Sequence, residues 1–175
     1  LTLNQKTIRN WDQKAHGTVT MTEVIEQSIN TGAAFAARAL GNERFLNYLT
    51  ALGVNEKTGI ELPGEVRGSL KSLGVGAREI HFATASFGQG IAVTPIALAS
   101  MVSTIANGGA RMKPTILADT KPAVVRQVFG AKSVKEITQM MVSAVKKARI
   151  AYIPNYEVAG KTGTAQIPDK KTGGY

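Results

Sequence analysis

Apolar positions recur at helical spacing in three successive stretches near the start of the chain. Thr20 and Glu23 stand at capping-box separation around Met21, Val24 and Ile25, which predicts a helix over Met21–Gln27. Ser28-Ile29-Asn30-Thr31-Gly32 interrupts it, and an alanine-rich helix is expected over Ala33–Leu40, stopped by Gly41. Asn42 opens a third helix through Leu52, ended by Gly53, so the pattern reads as a compact helical subdomain. Between Gly53 and Gly76 the repeated Gly59, Pro63, Gly64, Gly68 and Gly74 break any helix and predict turns and short strands. Thr94-Pro95 then gives an N-cap with proline at the first helical position, for a helix reaching about Ala106 and closed by Asn107-Gly108-Gly109. Val124–Phe129 alternates weakly as a strand. Ser133 and Glu136 repeat the capping-box spacing before a helix over Val134–Lys147, and Tyr156–Gln166 reads as a strand with Gly160 and Gly163 permitting close backbone approach. The tail Pro168–Tyr175 is turn-like, and neither an internal repeat nor a low-complexity segment is present.

Composition narrows the function classes. The 175 residues are 43% hydrophobic and 19% charged, the balance of a globular chain with enough length for a core. The formal charge of +9 admits an anionic partner, but the basic residues are scattered and no Lys/Arg run interleaved with aromatics occurs, so nucleic acid is not expected as a partner. Cysteine is absent, which removes a disulfide framework, a thiol nucleophile and Cys-ligated metal. His16 and His81 are far apart without ligand spacing, so neither a metal nor a cofactor is expected. No apolar run approaches the roughly 20 residues needed to span a bilayer, and the polar opening Leu1–Gln13 has no signal-peptide pattern.

Two short signals carry candidate chemistry. Lys161-Thr162-Gly163-Thr164 follows the small run Val158-Ala159-Gly160; on a strand, Lys161 and Gly163 would share one face and Thr162 and Thr164 the other. A glycine beside a lysine on an exposed edge lets a substrate backbone lie close to an ammonium. The tripeptide by itself is cheap, since it recurs at Lys57–Gly59 and Lys171–Gly173, and a surface lysine beside a turn reads equally well. Ser28-Ile29-Asn30 is the second signal. Two residues apart on a helix they would face different ways, so to share a cleft they must lie in the loop between helices, where a serine and an asparagine can relay a proton and hold an amide carbonyl. An ordinary cap, with Asn30 or Thr31 serving the following helix, is the plainer reading. Gly88-Gln89-Gly90 lacks the third glycine of a dinucleotide loop and the Gly-Lys-Ser/Thr of a phosphate loop, which excludes nucleotide binding on those motifs.

Order and surroundings make these signals specific. Gly17–Asn30, Thr58–Gly68, Ser86–Pro95, Ile105–Gly109 and Val158–Gln166 resemble, collinearly and over nearly the whole chain, class B penicillin-binding proteins, which are peptidoglycan D,D-transpeptidases. The resemblance implies an α/β (α+β) fold of the penicillin-binding transpeptidase and serine β-lactamase type, an antiparallel sheet with helical layers. It implies serine acyl transfer that cross-links D-Ala-D-Ala stem peptides, and acylation by β-lactam antibiotics. Of the family's three motifs, Ser-x-x-Lys, Ser-x-Asn and Lys-Thr-Gly, the second maps to Ser28 and Asn30 and the third to Lys161, Thr162 and Gly163. By resemblance Ser28 relays a proton, Asn30 holds the substrate amide and the catalytic lysine, and Lys161 supports the field and attracts the substrate carboxylate. Thr162 and Thr164 lie near the carboxylate, and the Thr164 N–H supplies half of an oxyanion hole.

The departure from the family is the nucleophile. No Ser-x-x-Lys precedes Ser28; the one literal match, Ser143-Ala-Val-Lys146, is out of family order and reads as coincidence. Residues 1–175 are therefore expected to be a partial transpeptidase domain, incomplete at both ends, lacking the upstream nucleophile and the closing strands and helix, and inactive alone. Lys146-Lys147-Ala148-Arg149 also stands where many relatives carry a glycine-rich stretch. The resemblance further implies an anchor in the cytoplasmic membrane outside these residues, a domain facing out of the cytoplasm, and partners in a cell-wall synthesis complex. A β-lactamase or β-lactam sensor of the same fold, or a non-catalytic penicillin-binding-like module, are the competing readings.

Overall fold

The computed structural model describes residues 1–163. A hairpin opens the chain: β1 (Thr2–Leu3) pairs antiparallel with β2 (Lys6–Thr7) across Asn4 and Gln5, both at positive φ, as a tight hairpin turn demands. Helix α1 (Met21–Gln27) starts on the expected capping box, with the Glu23 N–H donating to Thr20 Oγ1 at 3.2 Å and the Thr20 N–H donating to Glu23 Oε2 at 2.7 Å. Helix α2 (Asn30–Leu40) begins three residues before the expected Ala33, so Asn30, Thr31 and Gly32 are helical rather than loop. Its first turn is stabilised from elsewhere: the Asn10 side-chain oxygen accepts both the Thr31 N–H and the Thr31 hydroxyl at 3.1 Å. The cap on α2 is thus Asn10, not Asn30 or Thr31. Helix α3 (Asn42–Ala51) follows after Gly41.

The glycine-broken region holds less strand than expected, with a single isolated bridge Ser69↔Ala92 and a 3-10 turn at Lys71–Leu73. Helix α4 (Glu79–Ala85), unforeseen in the sequence, is the centre of the fold. Four of its seven residues are buried: Ile80 and Ala83 join Leu3, Ile8 and Ala34 in one apolar cluster, while Phe82 and Ala85 join Val54, Leu70 and Leu73 in a second. The hairpin turn caps it, Asn4 Oδ1 accepting the Ile80 N–H at 3.2 Å.

Helix α5 (Pro95–Ala106) begins as expected, Thr94 capping the Ala97 N–H. It leads into β3 (Ala110–Met112), antiparallel to β4 (Val124–Gln127) with a register shift at Arg111/Met112. The long helix α6 (Ala131–Ala148) starts three residues before Val134, with Gly130 at its N-cap and no side-chain cap. Ser133 therefore lies within the helix and the expected capping box is not formed. Helix α6 packs on α1 and α5. The strand expected over Tyr156–Gln166 has no ladder partner among its described residues, and its last three positions lie outside them. No helix of the described residues is long and apolar enough to cross a membrane.

Candidate active site

Ser28 closes α1 in the left-handed conformation, φ 54° and ψ 50°. An L-residue with a Cβ adopts this only when its surroundings hold it there. The Ile29 N–H donates to Val24 O at 3.0 Å, a bond that ties off an α1 carbonyl, and the Ile29 side chain is buried at 3% exposure. The left-handed turn reverses the chain in one residue, so α2 starts at Asn30 while the Ser28 hydroxyl stays at the end of α1. The two residues thus share a junction, although Asn30 is the first residue of a helix and not part of a loop. The Asn30 Nδ2 donates to the Arg9 carbonyl at 3.0 Å. Beside it, Trp11 Nε1 donates to Gln27 O at 3.0 Å, so the segment Arg9–Trp11 lies along the whole junction.

Lys161 arrives from the far end of the described chain. Its ammonium donates to Ser28 Oγ at 2.9 Å and to Thr162 O at 2.8 Å. The residue as a whole is exposed, yet enough protein surrounds the ammonium that desolvation lowers its pKa below the ordinary lysine value. Gly160, just before it, lies on α6: its N–H meets Met141 O at 3.4 Å, and a Cβ there would stand 3.1 Å from Val145 Cγ2. Thr162 and Gly163 are exposed, and Thr164 lies outside the described residues.

The structure therefore brings Ser28 and Lys161 together, with Asn30 two residues beyond Ser28 at the head of α2 and its amide turned onto Arg9. It separates the accidental Ser-x-x-Lys: Ser143 donates to Glu26 Oε1 at 2.6 Å, while Lys146 pairs with Glu157 at 3.1 Å. Sequence reasoning missed Asn10 and Glu26, whose partners are 21 and 117 residues away and leave no local pattern. No group of His, Cys, Asp and Glu among the described residues could hold a metal ion.

A family model described as the penicillin binding protein transpeptidase domain matches residues 2–175. The chain belongs to this family. Stage V sporulation protein D of Bacillus subtilis is 37% identical over 91% of the chain and 27% of its own length. Peptidoglycan D,D-transpeptidase MrdA of Acinetobacter baumannii is 29% identical over 91% of the chain and 27% of its own length. Penicillin binding protein 3 of Mycobacterium tuberculosis, solved in complex with aztreonam, superposes with a TM-score of 0.80 at 25% identity over 100% of the chain and 43% of that structure's chain. The penicillin-binding transpeptidase fold is thus established, and the chain spans about a quarter of the length of these curated relatives.

Proposed function

We propose that this chain provides the Ser-x-Asn and Lys-Thr-Gly walls of a peptidoglycan D,D-transpeptidase site, with the serine nucleophile supplied by a segment outside residues 1–175. The observation that carries this reading is the 2.9 Å bond from Lys161 to Ser28, which joins the two motifs that the family chemistry requires together. The nucleophile attacks the penultimate D-Ala carbonyl of a stem peptide, the C–N bond to the terminal D-Ala breaks, and that nitrogen takes up a proton as it leaves. An amine of a second stem peptide then attacks the ester, forming the cross-link and returning the serine hydroxyl.

The chain's own residues suit the proton and charge work in these steps. The Ser28 hydroxyl accepts from Lys161 and keeps its own proton to donate, which is what a relay to a leaving nitrogen needs. Two of the three Lys161 donors are engaged by Ser28 and Thr162 O, so the ammonium is held in place with one donor left for a substrate carboxylate. Desolvation strengthens its field at that point. Asn30 is fixed through its Nδ2, leaving its carbonyl oxygen to accept from a substrate amide or a catalytic lysine. The Thr164 N–H would complete an oxyanion hole, a donor worth roughly 2.7–4 kcal/mol in the transition state. A β-lactam enters as a mimic of D-Ala-D-Ala, in line with the relative solved with aztreonam. Such a protein works at the outer face of the cytoplasmic membrane, among cell-wall synthesis partners.

Fluorescent penicillin labelling of the full-length protein beside residues 1–175 tests this reading. Label on the full-length protein alone, lost in Lys161→Met, is the expected result. A full-length protein that takes no label refutes the transpeptidase assignment.

A further inference from the structure

Ser28 ends a helix near one end of the chain, and Lys161 lies in an extended segment near the other, with no sheet ladder joining the two segments in the described residues. Their common support is α6. On one side Glu26, two residues before Ser28, projects from α1 onto α6. Its Oε1 accepts the Ser143 hydroxyl at 2.6 Å and its Oε2 accepts the Lys147 ammonium at 2.7 Å. Ser143 and Lys147 are four residues apart, hence on one face of the helix. On the other side, Gly160 lies against Met141 and Val145 of the same helix, immediately before Lys161.

The Glu26 side chain is only 10% exposed, so the clamp is shielded from water on its carboxylate side, although Lys147 is half-exposed at 53%. Lys147 first, then Ser143, hold the carboxyl below the usual carboxylate range, which keeps it ionised and accepting at both oxygens. Neither Glu26 nor its two partners hydrogen-bonds to Ser28 or Lys161. They lie instead at the α1–α6 interface, between the helix that ends in Ser28 and the helix that Gly160 rests on.

We propose that Glu26 is a positioning residue: by clamping α1 to α6 through Ser143 and Lys147, it holds the Ser28 hydroxyl within hydrogen-bonding reach of the Lys161 ammonium. Its consequence for acyl transfer rests on the transpeptidase reading; its geometric content does not.

The test uses the full-length protein with Glu26→Ala, Glu26→Gln and Ser143→Ala. Two quantities are read: the rate of acylation by fluorescent penicillin, and the titration of Lys161 followed by NMR of labelled lysine. In folded Glu26→Ala, acylation is expected to slow about tenfold or more, since small misplacements at a reacting centre have costs of that order. Lys161 is expected to titrate closer to an ordinary lysine as the site loosens and water reaches the ammonium. Loss of a nearby negative charge alone would move that titration the opposite way, so the sign separates positioning from electrostatics. Glu26→Gln keeps a carbonyl for Ser143 and falls between the two. Should Glu26→Ala not fold, Ser143→Ala, which keeps the Lys147 pair, is expected to show the same two changes at smaller size. Acylation within about twofold of the parent together with an unmoved Lys161 titration overturns the proposal. If the parent itself takes no penicillin, the transpeptidase reading falls, and the titration alone decides: movement upward in Glu26→Ala upholds the clamp and no movement overturns it.

Discussion

The Lys161 ammonium meets the Ser28 hydroxyl at 2.9 Å across 133 residues of chain. The serine end of that bond is held in a conformation that an L-residue adopts at a cost, with φ at 54°. That cost is roughly 1–2 kcal/mol for a residue with a Cβ. Glycine accepts the same backbone freely but loses more entropy on folding, which offsets part of the gain. Ser28→Gly is therefore expected to unfold up to about 1 kcal/mol later than Ser28→Ala in urea titrations. Both are expected to lose penicillin acylation by about 10²–10⁴-fold, the range of a positioned proton-transfer group. A Ser28→Gly variant less stable than Ser28→Ala would show that the strain of the left-handed turn is smaller than the folding entropy glycine adds.

Lys161 should oppose stability at neutral pH. Burial lowers its native pKa below the ordinary value of 10.5, so between the native and unfolded values the unfolded chain binds more protons than the folded one. Stability must then rise with pH across that window, and the rise is complete only above the unfolded value. The residue is exposed overall, so the effect is modest. Lys161→Met is expected to flatten this alkaline rise, to leave the unfolding midpoint at neutral pH no lower than that of the parent, and to abolish labelling by penicillin. Urea titrations at several pH values between about 7 and 11 check the slope. A midpoint well below the parent at neutral pH would mean that the two lysine hydrogen bonds stabilise more than desolvation costs.

The legible parts of the fold are those with local chemistry. Thr20 and Glu23 announce α1, and Thr94-Pro95 announces α5, because a side-chain cap and a proline act on their own neighbours. Ser133 and Glu136 carry the same spacing inside α6, where the helix had already begun on Gly130; three residues along a helix, any such pair looks like a cap. Helix α4 was invisible because it is short and buries residues on two opposite sides, which erases the one-faced apolar stripe a surface helix shows. The start of α2 has no local signal, since its cap, Asn10, comes from another segment. The link between Ser28 and Lys161 is legible in the family resemblance and not in the spacing. The Glu26 clamp had no signal in the sequence at all, because Ser143 lies 117 residues away and was conspicuous only as a false Ser-x-x-Lys.

Asn10 is buried at 5% exposure and satisfies two donors of the first turn of α2 while its own amide donates to Lys14 O at 2.8 Å. Truncation leaves the Thr31 N–H and hydroxyl without that acceptor. Asn10→Ala is expected to destabilise by about 1–3 kcal/mol, combining a lost helix cap with half-buried Thr31 donors left without that partner. Asn10→Asp keeps the acceptor and loses the donor, so it should cost less than Asn10→Ala. Equal losses in chemical unfolding of the two variants would argue that the Lys14 bond, not the cap, is what matters.

Gly32 sits in the first turn of α2, where replacement by alanine would ordinarily stabilise the helix by up to about 1 kcal/mol. Here the sign should invert. A Cβ at this position would stand 2.9 Å from Val24 Cγ1 and closer still to its other methyl, so α1 and α2 approach across a gap that only glycine leaves open. Val24 is itself buried at 5% exposure and cannot swing into solvent. Gly32→Ala is therefore expected to destabilise by about 1–3 kcal/mol, the range of overpacked cores, and to slow acylation because Val24 and Gly32 pack across the α1–α2 junction that holds Ser28. Trimming the opposing side chain provides the control. Val24→Ala alone leaves a small cavity, but the double variant places one methyl where two had clashed. The coupling between the two changes should be about 1 kcal/mol or more in favour of the pair, measured as a double-mutant cycle in urea. Additive losses would show that the contact between α1 and α2 yields freely, and that the position of Ser28 is set instead by its ties to α6.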